Sequence, residues 1–161
     1  MTHNQIIYTT RQAVAEDAEI LLEFTRIEAQ EAETKELDLE LVKKAIELAL
    51  IDPEHKAYYV VLIDQYGVAQ GHCSFIKEWS DWNCAYYLWI QSMFIHPRAR
   101  GTGGMKYLLD AVENVGRTMG APEIRIYVHR GNQRALRAWQ REGFVDANYW
   151  MAHRLISDQE S

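Results

Sequence analysis

The chain has 161 residues, 48% of them hydrophobic and 25% charged, with a formal net charge of −6 and only two cysteines. These values exclude a disordered tail, a collagen-like fibre and a disulfide scaffold, and the length fits one domain over 1–161. No stretch reaches the roughly 18 consecutive apolar residues of a membrane span. Met1 to Thr10 lacks the basic-then-apolar pattern of a secretory leader, so a soluble protein of the reducing cytoplasm is expected. Cys73 and Cys84 lack metal-ligand spacing; no metal is expected, and both read as buried free thiols.

The charge is uneven. Thirteen acids and four bases lie between Glu16 and Glu54, whereas nine bases and three acids lie between Arg98 and Arg141. An acidic first half favours a cationic partner and a basic second half an anionic one. The overall acidity argues against duplex nucleic acid.

In chain order, Ile6 to Ala13 reads as a strand. Asp17 to Glu33 reads as a helix, with Ile20, Leu21, Phe24 and Ile27 on one face. Asp38 is an N-cap for a second helix that Asp52-Pro53 stops. Ala57 to Ile63 is a continuous apolar run that suits a buried strand. The turn Asp64-Gln65-Tyr66-Gly67 leads into a strand from Val68 to Trp79, and Ser80-Asp81-Trp82-Asn83 turns the chain into a long strand from Ala85 to Ile95. Thr102 to Met119 carries an apolar stripe and ends at Gly120, a fitting residue just past a helix. Glu123 to His129 alternates as a strand, Asn132 to Arg141 is a short helix, and Tyr149 to Ile156 is a last strand. The class is mixed α/β: a mostly antiparallel sheet of six to seven strands flanked by about four helices.

The chemistry concentrates where the long strand runs through His96-Pro97-Arg98-Ala99-Arg100 into Gly101-Thr102-Gly103-Gly104-Met105-Lys106 and then a helix. The amides of Gly101 to Lys106 leave such a turn unpaired, and the helix N-terminus adds partial positive charge. Glycines let a phosphate approach the backbone, and Arg100 can neutralise a phosphate oxygen. No Lys-Ser/Thr pair follows the glycines, so this is not a nucleotide-triphosphate P-loop.

A second element follows the next strand: Asn132-x-x-Ala135-x-x-x-Trp139-x-x-x-Gly143-Phe144. Together with the loop, with Thr10-Arg11-Gln12-Ala13 and Asp17-Ala18 at the start, and with Gly71 after the hairpin turn, it resembles the GCN5-related N-acetyltransferase (GNAT) family over residues 6–150. The resemblance implies that Met93, Phe94 and Ile95 offer strand backbone to the pantetheine arm of coenzyme A. Arg100, Gly101, Thr102, Gly103, Gly104, Met105 and Lys106 would hold the pyrophosphate, and Asn132 and Trp139 would flank the thiol end. It also implies a bulge in the long strand, of the kind that re-aims backbone beside active sites.

Two positions depart from the family pattern. Met105 stands where Gly or Ala is preferred, and Trp139 replaces the tyrosine that in relatives protonates the departing thiolate. Indole N–H is no useful acid; Tyr149, Tyr107 or water are the candidates to replace it. The base position on the long strand is Gln91-Ser92, and neither residue is a base. His72 on the preceding strand, with Glu28 and Glu31 on the first helix, are the alternatives.

The layout is most similar to the diamine and thialysine acetyltransferase branch, though Gln91-Ser92 lacks that branch's adjacent strand acids. Glu28, Glu31, Trp79, Trp82 and Trp89 are the candidate acceptor-binding residues, the tryptophans by cation–π contact. The expected function is acyl transfer from acetyl-CoA to a primary amine of a small cationic acceptor by direct attack. The alternative is a weak or inactive coenzyme A-binding sensor domain of the same fold. A homodimer through the late strands is expected.

Overall fold

The computed structural model describes residues 6–34 and 36–156; Met1–Gln5, Lys35 and the last five residues lie outside the described part. Five strands form one sheet in the order β1 (Tyr8–Gln12), β2 (Tyr58–Asp64), β3 (Ala69–Ser80), β4 (Ala85–Ile95) and β5 (Ile124–Ile126). Neighbours are antiparallel except β4 and β5, which run parallel. The helices are α1 (Ala18–Glu33), α2 (Leu39–Ile51), α3 (Gly104–Met119) and α4 (Gln133–Arg141).

Local chemistry explains most boundaries. The Asp38 carboxylate accepts from the Leu41 amide and opens α2. Asp64 accepts from the Tyr66 and Val68 amides, so the aspartate closes its own hairpin turn. Gly120 adopts φ 67° just past α3. Each face of the sheet is covered. Leu108, Leu109 and Val112 of α3 pack with Leu62, Cys73, Phe75, Leu88 and Ile90. On the other side Leu21 of α1 and Ile46 of α2 pack with Ala13 and Val61.

The sheet has five strands among the described residues, not six to seven. Tyr149 to Ile156 is no strand: Tyr149, Trp150, Met151, Leu155 and Ile156 are all exposed, and the segment carries no ladder. Its apolar and aromatic residues have strand propensity, but a strand also needs a neighbour for its N–H and C=O groups. β5 is cut to three residues for the same reason, because its partner turns away beyond Ile90.

That turn is a bulge. In the β3–β4 ladder Ser74 pairs with Ser92 and Phe75 with Ile90, which leaves Gln91 as the extra residue. The extra residue resets which face each side chain takes. Leu88 and Ile90 lie in the core beneath α3, and beyond the bulge Met93 and Ile95 pack against that same core. Ser92 and Phe94 therefore face α1.

Candidate active site

The bulge and the short β5 together make a slot. β4 and β5 pair only over Leu88–Ile90 and Ile124–Ile126, so the strands part from Gln91 onward. The open end leads past Ile95 to the Gly-rich loop and the start of α3. From Gln91 to Ile95 a strand advances about 13 Å.

At the open end Gly103 has φ 90°, a left-handed conformation that favours glycine, and nothing lies within 4 Å of where its side chain would stand. The Arg100 guanidinium is held from two sides: its Nε donates to the Ile95 carbonyl at 2.9 Å and its NH2 to Glu31 at 2.6 Å. Thr102 is tied down by the Tyr8 hydroxyl at 2.7 Å and donates to the Ala99 carbonyl. Lys106 pairs with Asp110 one turn along α3. Met105 turns its side chain to the core beneath α3. The clear space over Gly103, the loop at a helix N-terminus and the basic side chain of Arg100 fit a pyrophosphate.

Glu31 also lies 3.5 Å from the Arg134 guanidinium of α4. Between these elements is a cavity of about 440 Å³ lined by Glu31, Ala32, Gly131, Asn132, Gln133 and Arg134. Asn132 caps α4 by accepting from the Ala135 amide, which fixes that wall. Trp139 is buried against Phe144 in the core, ring edge to face at 5.0 Å.

At the narrow end a second constellation forms. Glu28 of α1 accepts a hydrogen bond from the Ser92 hydroxyl, and Ser92 Oγ lies 3.0 Å from His72 Nε2. His72 is fully buried, its ring stacked with Phe24 and close to Tyr59 and Phe94. Burial pulls its pKa down to about 4, so the ring is neutral near pH 7. α1 thus lies along the slot, with Glu28 beside Ser92 and, three residues or about 4.5 Å further on, Glu31 beside Arg100.

The other predicted side chains are spread apart. Trp79 pairs with Tyr86 and Ile76 with Trp89, an odd offset that puts Trp79 and Trp89 on opposite faces of the hairpin. Trp82 is 86% exposed at the turn. The three tryptophans do not form one wall. Trp89 alone sits by the slot: its ring lies 6.0 Å from that of Tyr127, and its buried indole N–H has no hydrogen-bond partner among the described residues. Gln91 is the bulge residue, and Tyr149 lies exposed beyond α4. Cys73 is buried, but Cys84 is exposed at the hairpin turn with φ 48°. Sequence reasoning missed two partners: Ser92, set aside as no base, and Arg134. The Asn132 motif could have flagged Arg134, two residues along.

Comparison with known proteins agrees with this geometry. The model of the acetyltransferase (GNAT) family matches residues 18–144. No curated protein matches the sequence. Among solved structures, a possible acetyltransferase from Clostridium difficile 630 is similar at 25% identity and TM-score 0.86, over 94% of this chain and 99% of that one. The aminoglycoside acetyltransferase AAC(6')-Iy, solved with a bisubstrate analogue of coenzyme A and acetylneamine, is similar in fold at 17% identity and TM-score 0.76, over 94% and 99%. A ribosomal-protein-alanine N-acetyltransferase from Brucella melitensis biovar Abortus 2308 is similar in fold at 13% identity and TM-score 0.74, over 92% and 100%. The chain belongs to the acetyltransferase (GNAT) family and is an N-acetyltransferase whose acyl donor is acetyl-CoA.

Proposed function

We propose that the protein transfers the acetyl group to a primary amine of a small cationic acceptor. One observation carries this reading: the Glu28 carboxylate of α1 lies at the narrow end of the slot beside Ser92, whereas Glu31 is held by Arg100 and Arg134. A protonated amine entering beside Glu28 exchanges water for negative charge. The amides of Gly101 to Met105 with Arg100 would hold the pyrophosphate of coenzyme A, the Lys106 amide already donating to the Gly103 carbonyl at 3.1 Å, and the backbone of Met93 to Ile95 would hold its pantetheine arm. Bound there, acetyl-CoA supplies an acyl carbon activated as a thioester.

The protein's own share is orientation and charge. Beyond Ile90 β4 has no ladder with β5, so on that open edge an amide at Met93 or Phe94 would donate to a carbonyl oxygen that gains charge. The Trp89 indole and the Tyr127 ring lie 6.0 Å apart at the narrow end, and the Arg125 guanidinium already stands over the Trp89 ring at 5.6 Å. The diamine and thialysine branch carries adjacent acids on the strand; here α1 brings a carboxylate to Ser92, which supports a cationic acceptor by another route.

The test is thiol release from acetyl-CoA against separate pools of polyamines, aminoglycosides, amino acids and a lysine peptide. Release above the hydrolysis blank with the polycationic pools supports the reading. Release with zwitterionic amino acids alone refutes it. No release from any pool, with coenzyme A binding intact, favours the sensor alternative.

The proposal includes a homodimer. Val145, Tyr149, Trp150 and Leu155 are exposed in one segment, and β5 has no strand on its outer side among the described residues; both are features that a second copy would cover. Sizing in solution at one protomer mass refutes it.

A further inference from the structure

We propose that Glu28 takes the proton from the acceptor's ammonium, and that Ser92, with His72 behind it, holds the Glu28 carboxylate at the acyl end of the slot. This rests on the transferase reading above and assigns roles within it.

The hydrogen-bond chain has a determined direction. A carboxylate only accepts, and a serine hydroxyl has a single proton to donate. Ser92 gives that proton to Glu28, so at 3.0 Å the imidazole must donate from Nε2 to Ser92 Oγ. His72 is then the Nε2–H tautomer, and Nδ1 keeps its lone pair. Nδ1 is buried with no partner among the described residues. An orphaned buried acceptor opposes folding, because it gives up its hydrogen bond to water and gains none in return. The fold carries that cost at His72, and what it obtains is two fixed donors in series aimed at one carboxylate.

The position is as telling as the direction. Ser92 is the residue next to the bulge, and it faces α1 only because Gln91 resets the alternation of β4. It therefore stands where β4 and β5 have just parted. The pyrophosphate loop lies at the other end of the slot, so a pantetheine arm along Met93 to Ile95 ends its thiol near Ser92. Glu31, at the loop end, already accepts from Arg100.

Tyr59 and His72 face Glu28 from β2 and β3, and the Cys73 thiol lies on the other face of the sheet, beneath α3. Burial raises the Tyr59 phenol and the Cys73 thiol above their ordinary values and lowers His72, so all three are neutral near pH 7. Along α1, Arg26 pairs with Glu23, and Glu31 pairs with Arg100 and Arg134.

The step balances as follows. The ammonium N–H bond breaks and an O–H bond forms on Glu28. The freed amine forms its N–C bond to the acetyl carbon and the C–S bond breaks. The second amine proton passes to the departing sulfur. Glu28 returns its proton to water.

The experiment measures kcat and KM by thiol release from acetyl-CoA with spermidine, neamine and a lysine hexapeptide, from pH 5 to 9. Glu28→Gln keeps an acceptor for Ser92 and so preserves the packing. It is expected to lower kcat at least about 100-fold and to abolish the fall of kcat toward acid, with KM for acetyl-CoA within twofold of the unaltered protein. Ser92→Ala is expected to lower kcat about tenfold, and Ser92→Thr to restore it. Nitrogen-15 spectra of the folded protein are expected to show His72 as the Nε2–H tautomer. Unchanged kcat in Glu28→Gln, a retained acid limb, or an Nδ1–H tautomer overturns the proposal while leaving the transferase reading intact. No release by the unaltered protein with any amine overturns both.

Discussion

Glu31 on α1 accepts from Arg100 on the phosphate loop at 2.6 Å, so a carboxylate of the acidic half occupies the guanidinium that the basic half offers to an anion. The two side chains are about one-third exposed, which limits such a pair to about 1 kcal/mol or less. A pyrophosphate must compete with this contact. Glu31→Gln is therefore expected to tighten coenzyme A binding by roughly twofold to fivefold. Calorimetric titration checks it, and the gain should shrink as salt is raised. Weaker binding in the variant contradicts the competition.

The loop assignment has its own test. An aspartate at position 103 puts a negative charge where a phosphate is to sit and forces φ 90° on a side-chain-bearing residue. Gly103→Asp is expected to weaken coenzyme A binding at least about tenfold. Gly103→Ala shares the strain without the charge and should lose less. Unchanged affinity in a folded Gly103→Asp protein refutes the assignment.

Gly71 faces a different constraint. A side-chain carbon there would lie 2.3 Å from the Phe94 carbonyl oxygen and 3.3 Å from the Ile95 backbone, so β3 and β4 would have to part. Gly71→Ala is expected to lower stability by about 1–3 kcal/mol in urea unfolding. It should also weaken coenzyme A binding, because Phe94 and Ile95 form one wall of the slot. A stable variant with a lower affinity would separate the two effects.

His72 links stability to pH. Its folded pKa is about 4 against an ordinary 6.5, so between these values the unfolded chain binds a proton that the folded chain does not. Stability therefore falls as pH drops from about 6.5 toward 4. For this one group the loss is about 3 kcal/mol. Urea midpoints at pH 7, 5.5 and 4.5 should decline in that order. A flat profile contradicts a neutral, buried His72.

Much of the architecture was legible from residue order. The loop from Arg100 to Lys106 and the Asn132 motif are read from local chemistry, and the helices and the β3–β4 hairpin from periodicity. The long strand from Ala85 to Ile95 is found with those same bounds. Two things were not legible. The strand expected at Tyr149 to Ile156 depends on a neighbour, and pairing over long range leaves no local mark. The face taken by Ser92 depends on the bulge at Gln91; an unbroken alternation would group it with Leu88 and Ile90. Glu28 and His72 could each be named as candidates, but what joins them is the residue whose orientation the alternation hides.

The most direct measurement is a competition. The protein is incubated with acetyl-CoA and an equimolar mixture of spermidine, neamine, glycine and lysine, and the acetylated products are counted by mass spectrometry. A slot with Glu28 at its acyl end predicts that spermidine or neamine, and the lysine cation with them, is acetylated ahead of zwitterionic glycine. Acetylation of glycine ahead of them, or of none of the four in a protein that binds coenzyme A, would contradict the account.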